Sequence, residues 1–167
     1  RNSYYYDNVK KLYREFVPQG KNVLDFGCGT GEVLDAVSPA FGVGYDLSSG
    51  MVVRARQKFV SRKDLYFTDD LDDVVFGKTK FDYIMLSDVI EHLDDVEGAV
   101  AHIAKISGSG TKVIISMANT AWEPILLVLE KLRMKMPEGP HTRISFSELK
   151  TIADGLGFRV EREGTRL

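Results

Sequence analysis

The sequence predicts an α/β fold with a doubly wound, mostly parallel sheet, and two observations carry that prediction. Short apolar runs that suit buried strands alternate along the chain with amphipathic segments that suit helices, which is the pattern of a parallel sheet covered by helices. The first run, Asn22–Phe26, leads straight into Gly27, Gly29 and Gly31. Glycines at such a strand-to-helix turn let a ligand lie directly on the backbone. The sequence therefore predicts a ligand site at the carboxyl edge of the sheet.

The first half of the chain predicts three helices and three strands. An amphipathic helix is expected to end before Pro18, because apolar residues recur in it at helical spacing and proline cannot continue a helix. The apolar face of that helix consists of Tyr5, Val9, Leu12 and Phe16. The remaining elements are strand 22–26, a helix from about Gly31 to Pro39, strand 42–45, a helix capped by Ser48 or Ser49, and a short strand 65–67.

The second half of the chain continues the alternation. The near-continuous apolar run Phe81–Leu86 is typical of a central strand that is covered on both faces. A helix with Val96, Val100, Ile103 and Ala104 on its inner face then leads to the strand Lys112–Ser116. Ser145 and Glu148 have the spacing of a capping box, which predicts a further helix. Phe158–Arg162 is expected to begin a sixth strand.

Length and composition indicate one globular domain and exclude several function classes. The chain has 167 residues, of which 44% are hydrophobic and 28% charged. Its 22 basic and 24 acidic residues give no global positive field that would draw it to nucleic acid. Cys28 is the only cysteine, so an intrachain disulfide is excluded, and between two glycines it is expected to fill space. The sequence shows neither a signal peptide nor an apolar run of about 18 residues, which predicts a cytoplasmic protein without a membrane span.

Three segments give the chain a family resemblance. They are Val23–Val33 with its G-x-G-x-G pattern, Gly42–Ser49 with Asp46 at a strand end, and Phe81–Leu93. A dinucleotide fingerprint would instead place its third glycine where this chain has Glu32. The chain resembles the class I S-adenosylmethionine-dependent methyltransferases, which act on small molecules among other acceptors. That resemblance implies a Rossmann-like sheet of the class I methyltransferase type.

The resemblance also implies how S-adenosylmethionine, or its product S-adenosylhomocysteine, is held. The Asp25 carboxylate is expected near the cofactor's ammonium group, and Asp46 is expected to accept hydrogen bonds from both ribose hydroxyls. Asp69 or Asp70 is implied to reach the adenine amino group. The other expected contacts are Gly27, Cys28, Gly29 and Gly31 around the methionine end, Leu47 at the adenine edge, and Ser87 on the sulfonium side.

A second set of candidate residues concerns the methyl acceptor. Methyl transfer from a sulfonium is an in-line displacement that requires positioning more than acid–base catalysis, although a hydroxyl acceptor benefits from a general base or a metal ion. His92 is the candidate base, and no metal is expected in that interpretation. Asp88, Glu91 and His92 also resemble a metal-binding segment of ubiquinone-pathway O-methyltransferases, with His141 as a fourth ligand and Asp88 in place of the usual Glu. A metal-assisted O-methyltransferase is therefore the alternative.

The domain organisation leaves a third possibility open. Residues 1–167 are expected to form a single methyltransferase domain with a substrate-cap insertion at 117–144. The fold resembled has seven strands, whereas this sequence predicts six and lacks the final strand, and it begins at Arg1 rather than Met. The chain is then either a trimmed segment of a longer protein or one in which residues 158–167 have an unusual role. A cofactor-binding domain without its own catalysis also stays open, as does a homo-oligomer; a small-molecule acceptor is the expected partner.

Overall fold

The computed structural model describes residues 3–76, 80–117 and 144–164. The chain divides into two compact units, each described by itself below. The first unit comprises Arg1–Ser87 with Ile106–Ser116, and the second comprises Asp88–Lys105 with Met117–Leu167. Most of the expected insertion at 117–144, namely residues 118–143, lies outside the described residues, and so does His141.

The first unit is built on a five-stranded parallel sheet in the order β3-β2-β1-β4-β5. The strands are β1 (Asn22–Phe26), β2 (Phe41–Tyr45), β3 (Leu65–Thr68), β4 (Tyr83–Ser87) and β5 (Lys112–Ser116). The helices of this unit are α1 (Ser3–Phe16), α2 (Glu32–Ala36), α3 (Ser49–Lys58) and the short α4 (Leu71–Phe76), which the sequence did not predict. The doubly wound parallel sheet is thus confirmed.

The strand order at the centre of the sheet indicates which strand ends can form a ligand site. Strand β1 pairs with β2 on one side and with β4 on the other, so the strand order reverses between β1 and β4. Ligands of open α/β sheets bind outside the carboxyl ends of the strands at such a reversal. Val23 and Leu24 are fully buried, which anchors β1 in the core and leaves its carboxyl end to start the glycine loop.

The buried face of helix α1 overlaps the predicted one at Val9, with Leu12 and Phe16 half-buried, but it is centred on Val9 and Tyr13 rather than on Tyr5. Its buried residues include Val9 and Tyr13, followed by Val17 beyond the helix end, whereas Tyr5 is 37% exposed. The Tyr13 hydroxyl donates to the Leu86 carbonyl over 2.9 Å and lies 3.2 Å from the Ser116 hydroxyl. A buried tyrosine requires such a partner, and this one reaches the carboxyl ends of β4 and β5.

The second unit contains three short described elements. They are a 3-10 turn (Ile90–His92), α5 (Val96–Ile106, whose last residue falls in the first unit) and α6 (Phe146–Gly155). The predicted capping box is confirmed: Glu148 N–H donates to the Ser145 hydroxyl, and the Glu148 carboxylate accepts from Ser145 N–H. No helix in the described ranges is long and apolar enough to cross a membrane.

The predicted sixth strand is wrong for the described part of its range. Residues 158–164 contain no strand. Strand geometry requires a neighbour that satisfies the backbone N–H and C=O groups, and none of the five described strands pairs with this segment. Apolar residues such as Phe158 and Val160 are therefore not sufficient by themselves to form a strand.

Candidate active site

The glycine loop after β1 has a backbone that only glycine adopts freely. Gly27, Gly29 and Gly31 have φ angles of 82°, 54° and 83°, in the left-handed region where a Cβ is unfavourable. The N–H groups of Gly27 and Cys28 both donate to the Tyr45 carbonyl, over 2.7 and 2.9 Å. These bonds fix the loop to the end of β2.

Two aromatic rings, those of Phe67 and Phe59, support this loop by packing. A Cβ placed on Gly31 would lie 2.7 Å from the Phe67 ring, and one on Gly44 would lie 2.5 Å from it. Phe67 in turn stacks on Phe59 with 5.9 Å between ring centroids. Close packing therefore favours glycine at both positions, and at Gly31 the left-handed backbone favours it as well.

Cys28 is a buried filler of this loop. It is 8% exposed and belongs to the core cluster that contains Phe67. Burial, and then the charges of Asp25 and Asp46, raise the pKa of its thiol far above the usual range. A thiol held neutral in this way is unreactive, as the sequence predicted.

The Asp46 carboxylate joins the glycine loop to the loop that follows β2. One oxygen, Oδ2, accepts from Gly29 N–H over 2.7 Å, and the other, Oδ1, accepts from Ser48 N–H over 2.9 Å. A carboxylate has about four acceptor positions, so each oxygen retains one for a ligand. Asp46 is partly exposed, which leaves those positions accessible.

Glu32 forms a network that sequence reasoning missed. It accepts from the Thr30 hydroxyl over 2.5 Å and from the Lys58 ammonium over 2.6 Å. Partial burial raises the pKa of Glu32, but the hydrogen bonds from Lys58 and then Thr30 lower it more, to about 2. The charged Glu32 thus connects α2 to α3 next to the glycine loop. In the sequence, the only indication of this network was an acidic residue at the start of a predicted helix together with a basic stretch later in the chain.

Asp69 and Asp70 have different partners, which the sequence could not distinguish. The Ser49 hydroxyl donates to Asp69 and lowers the pKa of its carboxyl group. Asp70 Oδ1 instead accepts from Asp72 N–H over 2.9 Å, in the geometry of an N-cap on α4. Only Asp69 therefore has a side chain directed to the loop that follows β2.

Asp25 is a buried carboxyl group without a hydrogen bond among the described residues. It is 1% exposed, and neither of its oxygens has a partner there. Burial first, and then the charge of Asp46, raise the pKa of Asp25 to about 7. The N–H of Leu34 opposes that rise without reaching hydrogen-bond geometry. Such an isolated acid is costly unless a ligand compensates it.

The two remaining cofactor candidates lie at strand ends. Leu47 directly follows Asp46 and is 84% exposed, which is unusual for a leucine and leaves its side chain to a ligand or to solvent. Ser87 is the last residue of β4, is half-buried, and pairs in register with Ser116 of β5. Both therefore lie at the carboxyl edge, where the sequence predicts the ligand.

The acceptor candidates belong to the second unit. Asp88 has a φ of 53°, and His92 ends the 3-10 turn with its N–H donating to the Val89 carbonyl over 2.9 Å. Asp88 precedes the turn, so Asp88, Glu91 and His92 do not share one face of an α-helix. In the described ranges no group of three or more His, Cys, Asp or Glu side chains could hold a metal ion. Because His141 lies outside those ranges, the metal site stays a prediction.

Solved structures confirm the class of fold. A parallel sheet with a glycine loop at its strand reversal and an acid after β2 fits the class I methyltransferase fold. The YcgJ protein of Bacillus subtilis matches 90% of this chain over 68% of its own, with a TM-score of 0.70 and 20% identity. Magnesium protoporphyrin IX methyltransferase from Synechocystis, crystallised with S-adenosylhomocysteine, matches 95% over 75%, with a TM-score of 0.68 and 23% identity.

Sequence comparison gives the family. The family model described as a methyltransferase domain matches residues 1–163, and the chain belongs to this family. Phosphoethanolamine N-methyltransferase 2 of Caenorhabditis elegans is 30% identical over 162 residues, which are 92% of this chain and 36% of that protein. The ubiquinone biosynthesis O-methyltransferase of Coxiella burnetii is 26% identical over 163 residues, or 91% and 69%. The chain thus spans about a third of the first relative.

Proposed function

We propose that this domain uses S-adenosylmethionine to methylate a small molecule, at a hydroxyl group in the first place and at an amine as the second acceptor class. The observation that carries the proposal is the Asp46 carboxylate, which is bonded to Gly29 N–H and still has one acceptor position on each oxygen. Two such positions suit the two ribose hydroxyls of a nucleoside. Membership of the methyltransferase domain family supports the choice of cofactor.

The described residues fit this cofactor chemically. Gly27, Gly29 and Gly31 present a surface without side chains on which the methionine end can lie. The buried Asp25 carboxyl group has no cation of its own among the described residues, and an ammonium group would compensate its charge. Asp69 rather than Asp70 is proposed to meet the adenine amino group, because Asp69 bonds to Ser49 at the start of α3, next to the Asp46 loop, whereas Asp70 is directed to its own helix α4.

The chemistry requires little of the protein beyond positioning. The bound cofactor supplies a methyl group on a sulfonium, whose departure as a neutral thioether requires no acid. We assign His92 the removal of the proton from the acceptor hydroxyl as its oxygen forms the new bond to carbon. Ser87 would line the sulfonium side, and residues 117–144 would cover the acceptor within a single domain.

The relatives bear on the acceptor class. One is named as an N-methyltransferase of phosphoethanolamine and another as an O-methyltransferase of ubiquinone biosynthesis. Both names are of small-molecule enzymes, which supports a small-molecule acceptor over nucleic acid. Our choice of a hydroxyl over an amine rests on the position of His92, the candidate base, shortly after β4. A cytoplasmic location remains a prediction.

The test is turnover with methyl-labelled S-adenosylmethionine against a panel of small hydroxyl and amine acceptors. With an accepted hydroxyl, His92→Gln should lower kcat roughly 10²–10⁴-fold and leave the affinity for S-adenosylhomocysteine unchanged. His102→Gln, a histidine on α5, is the matched control and should keep full turnover. Labelled transfer only to amines, or an undiminished kcat in His92→Gln, would contradict the assignment.

Two further outcomes of that experiment separate the alternatives. Loss of turnover on chelation and its return with a divalent ion would favour the metal-assisted route through Asp88, Glu91, His92 and His141. Tight binding of S-adenosylhomocysteine without transfer to any acceptor would favour a non-catalytic domain.

A further inference from the structure

The strongest unexplained feature of the first unit is the buried Asp25 carboxyl group. Both of its oxygens are shielded from solvent and lack a hydrogen bond among the described residues. Asp25 lies opposite Gly44 of β2 and Met85 of β4 in the central three strands, neither of which carries a charge. It is therefore surrounded by strands that offer it no compensating group.

The ionisable groups on the neighbouring elements do not compensate it either. The charge of Asp46, after β2, disfavours a second negative charge at Asp25. On α1, the Tyr13 hydroxyl is engaged with Leu86. The loop and α2 contribute the neutral Cys28 thiol and the Glu32 carboxylate, which is paired with Lys58. No lysine, arginine or histidine in the described ranges is among the groups that act on Asp25.

A buried acid in this position is stable in only two ways. It keeps its proton, or it ionises against a cation that is brought from outside. The glycine loop, which begins two residues after Asp25, is the part of the first unit that is shaped to receive a ligand. The proposed ligand carries an ammonium group at its methionine end.

We infer that the Asp25 carboxyl group holds a proton when the cofactor is absent and releases it to solvent when the cofactor's ammonium group binds at the glycine loop. This inference rests on the proposed cofactor site. The O–H bond of the carboxyl group breaks, the proton passes to the buffer, and the carboxylate pairs with the ammonium. Cofactor binding is thereby coupled to the loss of one proton.

The coupling has a definite sign. A pKa of about 7 in the empty protein means that the proton must be removed on binding at lower pH. Affinity should therefore rise up to about tenfold for each pH unit from about 5 to 7 and then level off. It should fall again only where the cofactor's own ammonium group, with an ordinary pKa near 8, loses its proton.

Isothermal titration calorimetry at pH 6 measures the proton directly. S-adenosylhomocysteine is titrated into the protein in two buffers of very different ionisation enthalpy, and the difference in observed heat gives the number of protons released. We expect roughly 0.5–1 proton per cofactor at this pH. S-adenosylmethionine should give the same number, because both ligands carry the ammonium group. Release with S-adenosylmethionine alone would overturn the assignment to the ammonium.

Two variants assign the proton to its residue. Asp25→Asn should bind with the same heat in both buffers, whereas Asp82→Asn, which changes an exposed acid before β4, should release as many protons as the unaltered protein. If Asp25→Asn does not fold, carbon-13 NMR of aspartate carboxyl groups provides the second measurement: one buried carboxyl should be protonated at pH 6 and become ionised on addition of S-adenosylhomocysteine.

A failure of the proton coupling and a failure of the cofactor site would give different results. Binding of S-adenosylhomocysteine with equal heats in both buffers would overturn the proton coupling and leave the cofactor site standing. No binding by the folded protein would contradict the cofactor site itself.

Discussion

The segment around the glycine loop and the segment 88–92 differ in the local structure that carries their candidate residues. In the first, the Tyr45 carbonyl, the Asp46 carboxylate and the Phe67 ring each fix the loop by a separate contact. In the second, Asp88 with a positive φ precedes a short 3-10 turn, Ile90–His92. Backbone geometry can therefore specify a site for a ligand common to many enzymes, whereas specificity for one substrate depends on individual side chains.

The largest effect is expected from breaking the glycine loop. Gly31→Ala combines a left-handed backbone with a Cβ that would lie 2.7 Å from Phe67, and should destabilise the protein by roughly 2–6 kcal/mol. Urea unfolding measures this loss. Gly29→Ala, with a φ of +54° and no atom within 4 Å of its Cβ, should cost only the strain, about 1–3 kcal/mol. Gly110→Ala, which also meets no atom within 4 Å, is the control; equal stability of Gly31→Ala and Gly110→Ala would refute the argument.

The pH dependence of stability tests the charge beneath the same loop. Because the pKa of Asp25 is raised to about 7 from an ordinary 3.8, the folded protein holds more protons than the unfolded chain between these values. Stability from this group is therefore lost as pH rises, on the order of 2–3 kcal/mol between pH 5 and pH 8. Denaturation of the empty protein at both pH values should show the loss, and Asp25→Asn should largely remove it. An identical pH profile for the variant would mean that Asp25 is already ionised at pH 5.

Asp46→Asn should weaken the cofactor site with less effect on the fold. An amide has only one acceptor oxygen, so either Gly29 N–H or Ser48 N–H loses its partner. A hydrogen bond to a charged group contributes about 1.5–3 kcal/mol, and the affinity for S-adenosylhomocysteine should fall roughly 10–100-fold in calorimetry. Asp82→Asn is a matched control, because Asp82 also accepts a backbone N–H, from Asn22 over 2.9 Å, but lies before β4. An equal loss in both variants would argue against a specific role of Asp46.

The smallest predicted effect separates two adjacent acids. Asp69→Ala should lower cofactor affinity roughly fivefold and leave unfolding unchanged. Asp70→Ala should do the opposite, because it removes the N-cap of α4, which typically costs about 1 kcal/mol of stability. Calorimetry and urea unfolding of both variants measure the two effects. The reverse pattern would assign the adenine contact to Asp70.

The sequence predicted those parts of the structure that depend on local patterns. The bounds of β1 and β5, the capping box at Ser145 and the glycine loop agree with the structure, because each follows from a few neighbouring residues. The contact of Asp46 with a ribose was implied by the family resemblance and stays a prediction. Its bond to Gly29, 17 positions away, was not predicted.

The misses depend on contacts that are distant in sequence. The buried face of α1 turned out to contain Tyr13, whose partner Leu86 lies 73 residues away, and helical spacing alone favoured Tyr5 instead. The strand expected at 158–162 does not form among the described residues, and a strand requires a partner strand that the local sequence does not supply. The different roles of Asp69 and Asp70 depend on Ser49 and Asp72, which the sequence could not orient.

The hydrogen bonds of the Tyr13 hydroxyl determine how far the N-terminus of this domain can be shortened. It links the N-terminal helix to the last residues of two strands at the edge where ligands bind. Shortening the chain to begin after Phe16 would leave the Leu86 carbonyl without this donor and open the space that the ring fills. The first helix is thus a fixed part of the frame, and expression boundaries should be drawn upstream of it.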